Sequence, residues 1–219
     1  DPAVTLREIG LYYDLLARHL YTHASPTMFN SCTSTGQINS CFLFGTEDRI
    51  ETIMDRVKIA SLISKTGGGI GMHMSNIRAA GTLIRTTGGK ASGIPRQLRI
   101  FNECSKTWNQ GGKRPGSMAI YLAIWHADIM QFIRLKQNSG DESERSRDLF
   151  YGIWCCDLFM RRLEAGQQWS LFSEDSAPGL SSVYDGMHVC ADCGRSPNPN
   201  YADVAARLGM NVAPIQCDK

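Results

Sequence analysis

Residues 41–74 read CFLFGTEDRIETIMDRVKIASLISKTGGGIGMHM, and the fold class turns on them. Cys41 to Phe44 are a short apolar run that suits a buried strand. Ile50, Ile53, Val57 and Ala60 then recur at spacings of three and four, the period of an amphipathic helix. Asp48 stands near the start of that helix and Lys65 at its end. A glycine run, Gly67-Gly68-Gly69-Ile70-Gly71, breaks the helix, and an apolar strand leads on to Met74. A strand, a helix and a strand in succession form a crossover unit, whose two strands run parallel.

The alternation extends in both directions. Upstream, Leu6, Ile9, Tyr13, Leu16 and Leu20 mark a helix that the turn Ser25-Pro26-Thr27 ends, and Ser31 to Gly36 is a polar loop. Downstream, Gly81 to Gly93 reads as a flexible loop carrying Arg85 and Lys90. Pro95 suits the first turn of a helix that carries Leu98, Phe101 and Trp108. Gln110 to Gly116 is a second glycine-rich basic loop, and Ser117 to Trp125 a strand. Asp128 caps a short helix ending near Lys136, Asn138 to Arg147 is a charged turn, and Leu149 to Trp154 is strand-like. Asp157 opens a helix that Gly166 closes, and Trp169 to Phe172 is a last strand. The expectation is an α/β fold with a largely parallel sheet. Beyond residue 186 the character changes. Residues 187–219 hold three cysteines and three prolines, with helix-like spacing only from Tyr201 to Leu208. The chain is therefore divided into residues 1–186 and a tail or extension, 187–219.

With 219 residues, 42% of them hydrophobic, the chain buries a core without disulfide or metal staples. A net charge of +2 argues against a nucleic-acid binder held by general positive charge, while leaving room for a local basic pocket. The longest apolar run, Met118 to Trp125, is well short of the ~18 residues a membrane helix needs. The start, Asp1-Pro2-Ala3, lacks an initiator Met and a leader pattern, so the chain reads as a piece cut from a longer one. Eight cysteines in a chain this rich in core residues point to a reducing cytoplasm rather than a disulfide framework.

Three features carry possible chemistry. Glycine-rich loops with Arg and Lys let backbone approach phosphates, although neither loop has the order of a Walker A or dinucleotide motif, and ordinary surface turns are the plainer reading. Cys41, at a strand edge after the polar Asn39-Ser40, is either a small buried hydrophobe or a redox thiol. Cys190-Ala191-Asp192-Cys193 is half of a zinc knuckle, a redox pair, or neither; His188 and Cys217 complete no standard ligand spacing. His73 and His126 lie on apolar strands, where a hydrogen-bonded core histidine is the commoner arrangement.

Several strings taken together are more specific. They are His23-Ala-Ser-Pro-Thr-Met-Phe-Asn30, Ser40-Cys-Phe-Leu43, Leu62-Ile-Ser-Lys65 through Gly71, Ile77-Arg-Ala79, and Gln110-Gly-Gly-Lys-Arg-Pro-Gly116. Ala119-Ile-Tyr-Leu122, Trp125-His126-x-Asp128-Ile129, Arg147-Asp-Leu-Phe150 and Asp157-Leu-Phe-Met160 complete them. In order and spacing they resemble the large subunit of class I ribonucleotide reductase, over residues 4 to about 185.

The resemblance implies a ten-stranded α/β barrel of two five-stranded halves, with this chain supplying the first half. The family removes the 2′-hydroxyl of a ribonucleoside diphosphate by thiyl-radical chemistry, with a cysteine pair as reductant. By resemblance Cys41 is the first cysteine of that pair, and its partner lies outside this chain. Ser25, Thr27, Ser40 and Gly69 are expected against the substrate. Asp48, Lys65, Arg78 and Arg85 are expected to hold the specificity effector, a deoxynucleoside triphosphate or ATP. Gln110 and Arg114 are expected to carry the signal from effector to substrate base. Implied partners are a small radical-generating subunit that holds the metal-radical cofactor, a second large subunit, and thioredoxin or glutaredoxin. This chain is itself expected to bind no metal, membrane or nucleic acid. None of its cysteines stands in the family's Asn-x-Cys-x-Glu setting of the radical cysteine, so the isolated chain is expected to be inactive. A non-catalytic, nucleotide-binding half of a split reductase is the second reading.

Overall fold

Four strands pair in the order in which the chain makes them, and every pair is parallel. The computed structural model describes residues 2–34, 36–108 and 116–185. The strands are β1 (Cys41–Gly45), β2 (Gly69–His73), β3 (Ser117–Ala123) and β4 (Phe150–Trp154). The helices are α1 (Pro2–Ala17), α2 (Ser25–Asn30), α3 (Ile50–Lys65), α4 (Gly93–Thr107), α5 (Ile129–Ile133), α6 (Asp157–Glu164) and α7 (Leu180–Tyr184). Each crossover steps to the next strand in the same direction. Since such connections are right-handed, α3, α4 and α5 fall on one face of the sheet. That winding is the barrel type; a doubly wound sheet reverses direction at a switch point.

The core fills the space between the sheet and these helices. Ile70 and Met72 of β2 and Met118, Ile120 and Leu122 of β3 meet Ile53 and Ala60 of α3, Leu98 and Phe101 of α4, and Phe132 of α5. Alternate residues point the other way, and that face is open. Leu43 is 83% exposed, and Tyr121, Phe150 and Trp154 are exposed beside it. Parallel sheets are ordinarily covered on both faces. Among the described residues only one face carries a layer, the condition of part of a barrel wall.

Several elements depart from the sequence expectations. Cys41 to Phe44 form a strand, but not a buried one: β1 is an edge strand whose outward side chains, Cys41 and Leu43, face the open side. Ser25-Pro26-Thr27 does not simply end a helix but opens α2, with Pro26 in its first turn, where its missing N–H is no loss. Trp108 stands just after α4 and is exposed. Trp169 to Phe172 makes a single parallel bridge, Phe172 to His126, so the described sheet has four strands rather than five. Phe172 instead stacks on Trp125, ring centroids 4.7 Å apart, in a second small core with Tyr184. Loop 81–93 is a tied ribbon rather than a flexible loop. Leu83 and Lys90 bridge antiparallel, and the Gly81 and Ala91 amides donate to Ala91 and Thr82 carbonyls at 2.9 and 2.8 Å. His73 ends β2 exposed, whereas His126 lies in the turn after β3 and is fully buried. The 187–219 segment and its Cys190 and Cys193 lie outside the described residues.

Candidate substrate and effector sites

The residues singled out from sequence collect at the two ends of the strands. Beyond the C-terminal ends, Asp48 follows β1 and Asn76 and Arg78 follow β2. With Ile84, Arg85 and Thr86 from the ribbon and Glu174, Asp175 and Pro178 from the segment before α7, they line a cleft of about 420 Å³. Asp48, Arg78 and Arg85 thus meet, though 37 residues of chain separate the first from the last. Asp48 does not cap α3, whose flanking residue is Arg49. Its carboxylate instead accepts from the Arg78 guanidinium, each side chain 23% exposed. That hydrogen bond holds Arg78 above its ordinary pKa. Two arginines face three carboxylates here, so an entering anion competes with Asp48 for Arg78.

Lys65 does not join the cleft. It is the last residue of α3, a 16-residue helix, and at ~1.5 Å per residue stands about 24 Å along the axis from its start. Gln110 and Arg114 lie outside the described residues.

At the opposite ends of the strands the chemistry is uncharged. Cys41 pairs in register with Gly69, and Gly69 with Ser117. The Ser40 carbonyl accepts from the Gly69 amide at 2.7 Å, which locks the entrance of β1 to that of β2. A Cβ on Gly69 would sit 3.4 Å from that carbonyl oxygen, so the glycine leaves the backbone bare beside Cys41. Cys41 is a free, exposed thiol. Thr27 donates to the Ile38 carbonyl at 3.2 Å, which ties α2 to the chain entering β1. Ser25 is exposed at the start of α2. This rim has an anchor that the sequence reading missed: buried Asn30 donates to the Gln37 carbonyl at 2.8 Å and the Thr66 carbonyl at 3.3 Å. It joins α2, the loop before β1 and the loop before β2. Asn76, Glu174 and Asp175 were missed as well: Asn76 stands two residues before Arg78 without any local mark of a lining role, and Glu174 and Asp175 come from a distant part of the chain.

Among the described residues no group of three or more His, Cys, Asp or Glu is placed to hold a metal ion. None of the described helices is long and apolar enough to cross a membrane.

The model of the ribonucleotide reductase barrel domain matches residues 39–211, ending inside the stretch set apart as a tail. The chain is 51% identical over 174 residues to the ribonucleoside-diphosphate reductase large subunit of Vaccinia virus, covering 78% of this chain and 23% of that protein. It is 46% identical over 174 residues to the large chain of Schizosaccharomyces pombe, covering 78% of this chain and 22% of that one. Against the large subunit of Arabidopsis thaliana it is 47% identical over 174 residues, with shares of 78% and 21%. The chain therefore spans about a fifth of the length of these relatives. With strands wound in one direction, an open inner face and half of its residues in the matched segments shared with these subunits, the chain belongs to the ribonucleotide reductase large-subunit family, within its barrel domain.

Proposed function

We propose that this chain forms the part of a ribonucleoside-diphosphate reductase large subunit that meets both the substrate and the specificity effector. The observation that carries the reading is the separation of two residue sets onto opposite ends of one sheet. Asp48, Arg78 and Arg85 share a cleft at one end, and Ser40, Cys41 and Gly69 share strand entrances at the other. The first set suits a deoxynucleoside triphosphate. Forked guanidinium groups pair with phosphate oxygens, and Asp48, released from Arg78, accepts from a sugar hydroxyl. The second set suits a ribonucleoside diphosphate, held by hydroxyls and backbone without a buried charge.

Cys41 supplies one of two thiols. Loss of the 2′-hydroxyl as water takes two electrons, and the thiol pair gives them up by becoming a disulfide. Thioredoxin or glutaredoxin restores the pair in a reducing cytoplasm. The radical arrives from a small subunit that holds the metal-radical cofactor. Lys65 ends α3 away from the cleft, which supports a reading in which a second large subunit brings its own Lys65 to the effector at a dimer face.

The test is calorimetry with dTTP on the chain and on the large subunit that carries it, beside CDP reduction by that subunit with its small subunit. Binding weakened by Arg85→Ala with CDP reduction retained supports the reading. Equal affinity in parent and variant overturns the effector assignment.

A further inference from the structure

Asp128 was expected to cap the short helix that follows it. It caps a different one. Its side chain makes no capping bond to α5. One oxygen, Oδ2, accepts from the Ile94 amide at 3.0 Å, in the first turn of α4. Both oxygens also accept from the Ala80 amide, at 3.0 and 3.2 Å. Ala80 and Ile94 are the two ends of the ribbon that carries Arg85. Two residues before Asp128, His126 is fully buried, its Nε2 2.7 Å from the Ile77 carbonyl. Its Nδ1 accepts from the Asp128 amide at 3.1 Å. With Nδ1 accepting, Nε2 carries the proton and donates to Ile77, next to Arg78. The imidazole is neutral and used on both sides. Packing is close on the far side too. Gly93 has a φ of +75°, and a Cβ there would fall 2.6 Å from Asp128 Oδ2 and 2.6 Å from the Ala80 Cβ.

We infer that the turn 126–128 is the positioning element of the effector site: Asp128 clamps both feet of the ribbon and His126 fixes its approach, so that Arg78 and Arg85 are held across the cleft from each other. The inference rests on the effector reading above and deepens it. Neither His126 nor Asp128 lines the cleft. They act through Ile77, Ala80 and Ile94 backbone. Oδ2 reaches both feet and Oδ1 reaches the Ala80 amide a second time, so neither oxygen can become an NH2 group without setting a donor against a donor. Asparagine offers one acceptor and turns an N–H donor toward a foot amide. Turn 126–128 follows β3 after two residues, so the clamp also ties the ribbon to the central sheet.

The experiment uses Asp128→Asn in the large subunit that carries this chain, assembled with its small subunit, with dTTP as probe. Amide hydrogen exchange at Ala80, Gly81 and Ile94 is expected to quicken at least tenfold, while Ile120 and Leu122 of β3 keep their protection. The dTTP dissociation constant is expected to rise at least tenfold, with effector-free CDP reduction within twofold of the parent. A general loss of stability would quicken exchange in β3 as well and lower the effector-free rate. Gly93→Ala, which pushes on the clamp from the ribbon side, is expected to act in the same direction. Parent-like exchange at the feet and parent-like dTTP affinity in Asp128→Asn overturn the clamp. Arg85→Ala separates the two readings. If it leaves dTTP binding unchanged while Asp128→Asn still loosens the feet, the effector assignment fails and the clamp stands.

Discussion

The two ends of the sheet solve opposite problems. At the strand entrances, Ser40, Cys41 and Gly69 are held by backbone and amide hydrogen bonds, and no charged group is among them. At the strand exits, Asp48, Arg78, Arg85, Glu174 and Asp175 put five charged side chains round one cleft. A neutral rim can be built from neighbouring chain, because backbone is always at hand. In the charged rim the opposite charges come together from distant stretches of chain, Arg78 meeting Asp48 across the strand ends. The arginine–aspartate pair at the exits spans 30 residues and the cleft draws on three separate segments. The bare backbone and the thiol thus sit on strand starts, and the charged groups sit on the loops that follow the strands.

The largest expected effect breaks the entrance side alone. Cys41→Ser in the assembled reductase is expected to abolish dithiol-dependent CDP reduction and leave dTTP affinity as in the parent, since serine cannot end in a disulfide. Normal turnover would remove Cys41 from the redox pair. Because none of its cysteines stands in an Asn-x-Cys-x-Glu setting, this chain by itself is expected to give no deoxynucleotide.

On the exit side, loss of one arginine–phosphate contact costs on the order of 1.5–3 kcal/mol, the scale of a hydrogen bond to a charged group. Arg78→Ala should exceed Arg85→Ala, because it also leaves the half-buried Asp48 carboxylate facing the anion. Adding Asp48→Asn to Arg78→Ala should then recover part of the loss. Titration calorimetry across the four proteins checks the order, and equal losses in the two single variants would mean that the Asp48–Arg78 pair does not govern entry.

A smaller effect separates the rims by stability. Asn30→Ala removes two amide donations at the entrances and is expected to cost about 1–3 kcal/mol in urea unfolding. It should loosen exchange at Gly69 without altering the ribbon amides. Loosening at both ends would show the rims to be one cooperative unit.

The smallest effect is a pH dependence. Burial holds His126 below its ordinary pKa of 6.5. A depressed folded-state pKa means that the unfolded chain takes up the proton first, so stability is present above pH 6.5 and is lost as pH falls toward the folded value. His126→Gln, which can still donate to the Ile77 carbonyl, is expected to flatten that decline. An identical pH profile of unfolding in parent and variant would assign the decline to other groups, His73 among them: its side chain is exposed at the end of β2, yet desolvation by its surroundings and the nearby His126 lower its pKa.

The sequence by itself determined the class of fold and most of its elements. Hydrophobic spacing placed α3 and α4, glycine marked the entry to β2 and the end of α6, and alternation of strands with helices made the sheet parallel, because each of these is set by near neighbours. Asp48, Arg78, Arg85 and Cys41 stood out through the family resemblance, not as geometry. Tertiary structure decided what distance along the chain conceals. Asp128 reads as a cap for the helix it precedes, yet its carboxylate serves Ala80 and Ile94, 48 and 34 residues away. Asp48 reads as a helix opener and is an ion-pair partner. Cys41 to Phe44 read as a buried strand, but burial depends on whether a layer lies over each face, which local pattern does not record. Trp169 to Phe172 has the composition of a strand, yet Phe172 stacks on Trp125 and the segment gains one bridge in place of a ladder. Local propensity fixes which elements form; side-chain partners are chosen by three-dimensional proximity, and a polar side chain satisfies the nearest unpaired group in space rather than in sequence.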